Sequence, residues 1–551
     1  MSQSQTLPGA AAALDPITVE VIGAALSSIV EETGEALIRA SYSTNIKERR
    51  DCSTALFDAA GRTLCQAEHI PIHLGSFIGI VPHIARLHPI EDMRPGDVFI
   101  GNDAYAGGGT HLPDIVLAEP IFVEGRLVAW TVNLAHHSDF ADRGHAHIYQ
   151  EGLRIPPVRL YRAGVLQEDV QELILLNCQV PRERLSDLRA QMAANRVGVQ
   201  RFRALCAKYG TATVLAAGEA LLDYAERKMR AGIAAMPDGT WRFEDVFDNT
   251  EIPQTLRLAV EVTVKGDSMS LHFDAPDQVR AGINMTYTAL LATTYYIVKS
   301  VVDPTILPNA GLARPLSVTA REGSVLNCVH PAAVNGRVQT CQRVSDLILG
   351  ALAQAVPERV TACSNSTCTV ATFIGQRPDD GSLWVYLETM GGGGGARAGK
   401  DGLDGIHVHV TNTSNLPVEA LELEYPLTLL RYELVAESGG VGRTRGGMGL
   451  RRVYRADADC LVRVDASRLR SQSWGLFGGG PGGHGGIECG PGVEFHDDRA
   501  ALKAGQWFAV ISPGGGGYGP PAERAPEAVA RDRAEGVIGA DTAQATYGLT
   551  A

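Results

Sequence analysis

The chain has 551 residues, of which 45% are hydrophobic, enough apolar material for several packed cores and an organisation of two to four domains. Its formal net charge of -13 offers no basic face to nucleic acid or to an anionic membrane. No apolar run reaches the about 20 residues that span a bilayer, the opening MSQSQTLPGAAAALDP lacks the basic and apolar regions of a signal peptide, and the 10 cysteines include no CxxC pair, so a reduced cytoplasmic protein is expected.

Asp15-Pro16 joins an N-cap residue to a proline at the first helical position. Ile17, Val21, Ala24, Ala25, Ser28 and Ile29 then recur at helical spacing, which predicts a long helix reaching Ala40. After a polar stretch, residues 54–57 and 63–67 flank Asp58-Ala59-Ala60-Gly61 and predict a hairpin, with Asp51 just before its first strand. His69 and His73 follow in HIPIHLGS, each placed either to line a site or to close a turn.

The chain is organised around residues 101–144, GNDAYAGGGTHLPDIVLAEPIFVEGRLVAWTVNLAHHSDFADRG. Residues 115–123 and 126–134 are rich in β-branched and aromatic types and are separated by Glu124-Gly125, so they predict a second hairpin. A hairpin of that length returns its second strand to the start of the first, which carries His136 back beside His111 and Asp114. Imidazole nitrogens and a carboxylate converging in space are ligands for a divalent cation. The plainer reading is a set of polar residues capping a sheet. Three converging groups beside Gly107-Gly108-Gly109, where the backbone can approach closely, favour the metal.

Farther on, apolar residues at three- and four-residue steps predict a helix pair over 181–235. Strand-like runs at 241–247, 256–265 and 268–273 follow, the last two joined by Lys265-Gly266-Asp267. Residues 287–302 and 344–355 read as buried helices, and the remainder as strands and glycine-rich loops. The class is therefore α+β and multi-layered. The expected domains are an N-terminal metal-site α/β region (1–180), a helical segment (181–235), a mixed α/β domain (236–430) and a β-rich, glycine-rich C-terminal region (431–551). No internal repeat is evident.

Residues 394–401 fit GxxxxGK after a strand-like run, yet Asp401 stands where a nucleotide loop needs serine or threonine. The next residues, GLDGIHVHV, alternate like a strand where a helix should begin, so no phosphate cradle is read there. The glycines at 478–486 and 514–517 are expected in tight loops of the C-terminal region or along a substrate channel.

The segment NDAYAGGGTHLPDIVLAEPIFVEGRLVAWTVNLAHHSDF resembles the hallmark stretch of the hydantoinase B family. That family includes B components of ATP-dependent N-methylhydantoinases, the C-terminal half of 5-oxoprolinase, lactam hydrolases and metal-bearing subunits of acetone and acetophenone carboxylases. The resemblance extends through residues 41–76, 151–164, 410–427, 438–450 and 513–532, and so covers nearly the whole chain. It implies a divalent metal ion (Zn, Mn or Fe) held by Asp51 of KERRD, His111 and Asp114 of HLPD, and His136, the first histidine of AHH.

It further implies a hetero-oligomer with a hydantoinase A-type ATP-binding subunit, which phosphorylates a small cyclic amide (a hydantoin, 5-oxoproline or a lactam) for hydrolysis here. ATP is then used by the partner. The alternative is the metal-bearing subunit of an ATP-dependent acetone- or acetophenone-type carboxylase, and the complete ligand set argues against a purely structural partner. His137 and Asp139 are acid–base candidates, or else hold the ligand His136 in place. Residues 140–147, FADRGHAH, depart from the glycine pair common after HHSD, which bears on the shape of the substrate pocket.

Overall fold

The computed structural model describes residues 14–549 except 68, 107 and 138–142. The opening helix, Pro16–Ala40, is capped by Asp15, whose side chain accepts from the Ile17 and Thr18 N–H groups. Its apolar face, with Ile22, Leu26 and Val30, packs against Leu56 and Ile121 of a sheet and against Phe202 and Leu221 of the predicted helix pair. Those two helices are Pro181–Tyr209 and Thr211–Ala234, separated by Gly210 at φ 84°.

Seven strands form the N-terminal sheet, in the order Thr63–Gln66, Cys52–Asp58, Arg126–His136, Asp114–Val123, Val98–Gly101, Val158–Arg162, Val165–Leu166. Both predicted hairpins are present and antiparallel. The central one turns at Glu124 and Gly125, with φ of 50° and 77°, the positive-φ pair of a two-residue hairpin loop. Gln191 of Pro181–Tyr209 donates to the Ile115 carbonyl at 2.9 Å and Asn195 to that of Leu117 at 3.2 Å. The helix is thus pinned across the hairpin by hydrogen bonds as well as by apolar contact.

A four-stranded sheet, Gly239–Asn249, Ile252–Lys265, Ser268–Asp274 and Leu316–Ala320, packs with helices Tyr287–Val302 and Arg337–Leu352 around the largest apolar core. Two further four-stranded sheets share another core. One of them takes Thr369–Gln376 and Leu383–Met390 together with Cys460–Asp465 and Arg499–Leu502, from both sides of residue 430. Helices over separate, mostly antiparallel sheets make the molecule α+β and multi-layered.

The structure departs from the sequence reading in two places. Helix Arg337–Leu352 begins well before residue 344, because its first half carries buried polar side chains that break the apolar period. Gln339 donates to the Cys368 carbonyl at 2.6 Å and Gln342 to that of Val408 at 2.9 Å, so these residues belong to the interior. The C-terminal glycines, in turn, do more than form tight loops: their segments lie backbone against backbone. Gly447 N–H donates to the Gly394 carbonyl at 2.8 Å, Gly515 N–H to Gly447 at 2.9 Å and Gly440 N–H to Gly515 at 2.8 Å. A Cβ on Gly514 would stand 1.8 Å from the Ser438 carbonyl oxygen, so only glycine permits that approach. Residues 394–401 join this array, with no helix over 401–409.

Among the described residues no helix is long and apolar enough to cross a membrane. Replacing Gly514 by alanine is expected to destabilise the protein by about 1–3 kcal/mol or more through overpacking. Gly399→Ala, where nothing lies within 4 Å of the added carbon, should stay within about 0.5 kcal/mol. Urea unfolding midpoints compare the two, and equal midpoints would contradict the backbone-contact account.

Candidate metal centre

Three neighbouring strands end at one place. Cys52–Asp58, Arg126–His136 and Asp114–Val123 lie side by side, with Asp114 paired to His136 and Cys52 to Ala135. His136 N–H donates to the Asp51 carbonyl at 3.0 Å. Strand pairing therefore sets Asp51, His136 and Asp114 abreast. His111 comes from the turn just ahead, where its carbonyl accepts from Asp114 N–H at 3.2 Å.

One nitrogen or oxygen from each of His111, Asp114 and His136 lies within 4.8 Å of the others. Asp51 lines the same cavity without belonging to that tight group. Its Oδ1 stands 3.6 Å from Nε2 of His73, which is 3.9 Å from Asp114 Oδ1. His73 begins the short helix His73–Phe77, and its Nδ1 is 2.9 Å from the Ser53 hydroxyl, which leaves Nε2 toward the two carboxylates. His69 instead packs its ring against Gly34 of the first helix.

The donor set suits a cation. Nε2 of His111 and Oδ1 of Asp114 face each other at 3.0 Å, both buried and, among the described residues, neither in a hydrogen bond. The opposite ends of these side chains are committed: His111 Nδ1 lies 3.0 Å from the Asn335 carbonyl, and Asp114 Oδ2 accepts from Arg337 at 2.9 Å and from Ser76 at 3.4 Å. A carbonyl only accepts, so His111 carries its proton on Nδ1 and a lone pair on Nε2. Two lone pairs facing one locus are what a divalent cation satisfies.

Electrostatics favour the same state. Burial opposes ionisation of Asp114, but His111 and Arg337 outweigh it and hold the carboxyl well below the usual range. Of the two, Arg337 is the charge that persists at neutral pH, because burial and then Arg337 push His111 itself down to about 4. Burial likewise lowers His73. Near neutral pH His111 and His73 are thus neutral and Asp114 is ionised.

Several residues that shape the centre were not singled out from the sequence. Arg49 donates to Asn45 Oδ1 at 2.7 Å, which turns the Asn45 amide nitrogen toward His136. That nitrogen donates to the His136 carbonyl at 2.7 Å and lies 3.1 Å from ring Nδ1. A hydrogen bond donated to Nδ1 there places the ring's own proton on Nε2, so a cation binding at Nε2 must displace it. Glu151, pushed up to about 8 by burial, accepts from the Val334 and Asn335 N–H groups at 2.7 Å and so positions the carbonyl that holds His111. Arg49 sits in KERRD and Asn45 two residues ahead of that motif, where a polar pair four residues apart was a usable signal. Arg337 and Asn335 lie more than 200 residues from their partners and gave none.

His137 does not line the cavity with His136. Its Nε2 is 3.1 Å from Gln191 Oε1 of the overlying helix, and burial pushes its pKa down to about 3. Asp139 lies outside the described residues. The cavity in front of the candidate ligands has a volume of about 100 Å³ and is completed by His145, from the segment after the hairpin, and by residues of a later sheet, among them Thr372, Thr389, Arg463 and Asp465.

The family described as hydantoinase B/oxoprolinase matches residues 15–521. The chain belongs to the hydantoinase B/oxoprolinase family. A protein of Pseudomonas sp. (strain NS671), provisionally named as the B-type subunit of a D-/L-hydantoinase, is 34% identical over 570 residues, covering 98% of this chain and 95% of that one. The crystal structure of ATP-dependent caprolactamase from Pseudomonas jessenii matches at a TM-score of 0.88 and 30% identity, over 98% of this chain and 97% of that chain. Nucleotide-free acetone carboxylase shares the fold, at a TM-score of 0.87 and 20% identity, over 97% of this chain and 79% of that one.

In this hydantoinase B family member, Arg337 is the standing countercharge of Asp114. Arg337→Met should therefore destabilise the metal-free protein by about 3–5 kcal/mol, the cost of leaving a buried charge unpaired. The loss should narrow when a divalent cation is added and neutralises Asp114 in its place. Urea unfolding with and without chelator measures this, and an equal loss in both would contradict the shared role.

Proposed function

We propose that this chain is the metal-dependent hydrolytic subunit of an ATP-dependent amidohydrolase, opening a cyclic amide that a partner A-type subunit has activated by phosphorylation. The observation that carries the reading is the facing pair His111 Nε2 and Asp114 Oδ1, buried and without a hydrogen-bond partner among the described residues, with His136 beside them and a cavity in front. Relatives named for hydantoinase and caprolactamase activity, matched along nearly their whole length, support the substrate class.

Asp51, His111, Asp114 and His136 would hold the cation, two imidazoles and two carboxylates that suit zinc, manganese or iron. When bound, it supplies Lewis acidity and makes hydroxide available near neutral pH. The chain's own residues do the rest. Asn335 and Arg337 keep His111 and Asp114 oriented. The cavity is bordered by apolar Ile70, Ile72 and Val370 and by the hydroxyls of Thr372, Thr389 and Thr413, which gives a small cyclic amide an apolar bed with polar edges. Phosphorylation falls to the partner, since the glycine segment 394–401 is packed into the backbone array and opens no helix.

A second reading, the metal-bearing subunit of an acetone-type carboxylase, uses the same centre. A panel of hydantoins, 5-oxoproline, lactams and ketones with bicarbonate, assayed with the partner and ATP, separates the two.

His111→Ala should lower metal content and substrate turnover together. The fold should persist, at a cost of roughly 1 kcal/mol plus whatever the cation contributed. ATP consumption by the partner should continue, uncoupled from product. Metal analysis alongside turnover decides it: full occupancy with normal turnover in the variant would remove His111 from the centre.

A further inference from the structure

The cavity also has a carboxyl group on a wall that the strands of the candidate centre do not build. Asp465 ends strand Cys460–Asp465 and lines the cavity together with Asp51, His111 and His136. Asn249 donates to its Oδ1 at 2.7 Å. Among the described residues nothing donates to Oδ2, which stands over Gly336, where a Cβ would come within 2.8 Å of it. Glycine at that position leaves the oxygen room at the cavity wall.

The positive groups around Asp465 are engaged elsewhere. Arg463, on the same strand, pairs with Glu251 at 2.8 Å and with Asp498. His145, from the segment after the ligand hairpin, pairs with Glu251, and Arg337, opening its helix, pairs with Asp114 at 2.9 Å. The other groups facing Asp465 are the Glu251 carboxylate and the Cys368 thiol, and no cation forms an ion pair with it among the described residues. A half-buried carboxyl in a cavity wall, with no countercharge paired to it, favours its protonated form. Burial and then Glu251 raise its pKa, whereas His145 and Arg463 hold Glu251 low against burial. Two carboxyls whose surroundings push them apart are an acid–base signature.

We propose that Asp465 is the general acid that protonates the departing nitrogen of the cyclic amide. This rests on the reading of the chain as a cyclic-amide hydrolase. Opening the ring adds one water. Its oxygen bonds to the phosphorylated carbonyl carbon, the C–N bond breaks with the electron pair staying on nitrogen, and the acyl phosphate left on the opened ring then releases inorganic phosphate to a second water. The nitrogen takes the Asp465 proton, and the carboxylate recovers the proton that the attacking water gives up. Nucleophile and acid thus reach the amide from separate walls, the strand ends on one side and the third sheet on the other.

The test uses the metal-loaded complex of this chain with its ATP-binding partner and a cyclic amide that the wild type opens. Turnover is measured from about pH 6 to about pH 9 for wild type, Asp465→Asn, Asp465→Glu and Asn249→Ala. An acid works only while protonated, so wild-type kcat should fall as pH rises through the carboxyl's pKa. Asp465→Asn should lose about 10²–10⁴-fold in kcat and lack that limb, with metal content and Tm kept, and Asp465→Glu should recover part of the rate. Asn249→Ala removes a bond that favours the charged form, so its limb should move to higher pH.

If Asp465→Asn keeps more than roughly a tenth of the rate and the same limb, Asp465 is not the acid. If that variant instead loses metal or unfolds, the Asn249→Ala limb decides, and an unmoved limb overturns the proposal. A wild-type complex that opens no cyclic amide overturns the hydrolase reading itself, and this proposal falls with it.

Discussion

A slip of one residue between Asp114–Val123 and Arg126–His136 would dismantle the centre, because strand side chains alternate between faces. His137, the next residue along, has its ring against Gln191 of the overlying helix, whereas His136 faces the cavity. Register is therefore the constraint on which the candidate ligands depend. It is held at one end by the positive-φ turn at Glu124 and Gly125, and along its length by the helix amides of Gln191 and Asn195. The neighbouring strand adds Asp51 through the same pairing. A candidate metal centre assembled from adjacent strand ends is as rigid as the sheet itself, which suits a site that would hold an ion to within fractions of an ångström.

The remaining groups arrive from far along the chain, carried by hydrogen-bonded rather than purely apolar packing. Helix Arg337–Leu352 brings Arg337 to Asp114, and through Gln339 it fixes the Cys368 backbone at the cavity wall. The segment leading to Cys368 is tied into the glycine array: Asn365 N–H donates to the Gly393 carbonyl at 2.7 Å, and Gly516 N–H to the Cys363 carbonyl at 2.7 Å. The array thus has a functional consequence at a distance, since it anchors the strand Thr369–Gln376 that supplies Val370 and Thr372 to the cavity.

What was legible in the sequence follows the range of the forces involved. The hairpin, its turn and the return of His136 to His111 and Asp114 are local, and alternation with a Glu-Gly turn was enough to read them. Asp51 was legible only through family resemblance, because nothing within its own segment says which strand it will sit beside. His137 shows the limit of adjacency: the residue just after His136 turns its ring onto Gln191 of the overlying helix. Arg337, Asn335 and Asp465 were invisible, since a buried polar residue shows its partner only after folding. The glycine clusters announced close approach but not which segments would meet, and reading them as loops missed the array.

Anomalous diffraction from crystals of the purified complex, recorded at the zinc, iron and manganese absorption edges, tests the central claim most directly. The account predicts one peak bounded by His111 Nε2, Asp114 Oδ1, His136 and Asp51, with ligand distances of about 2.0–2.2 Å. A peak at any other locus, or none in a preparation that turns over its substrate, would contradict it.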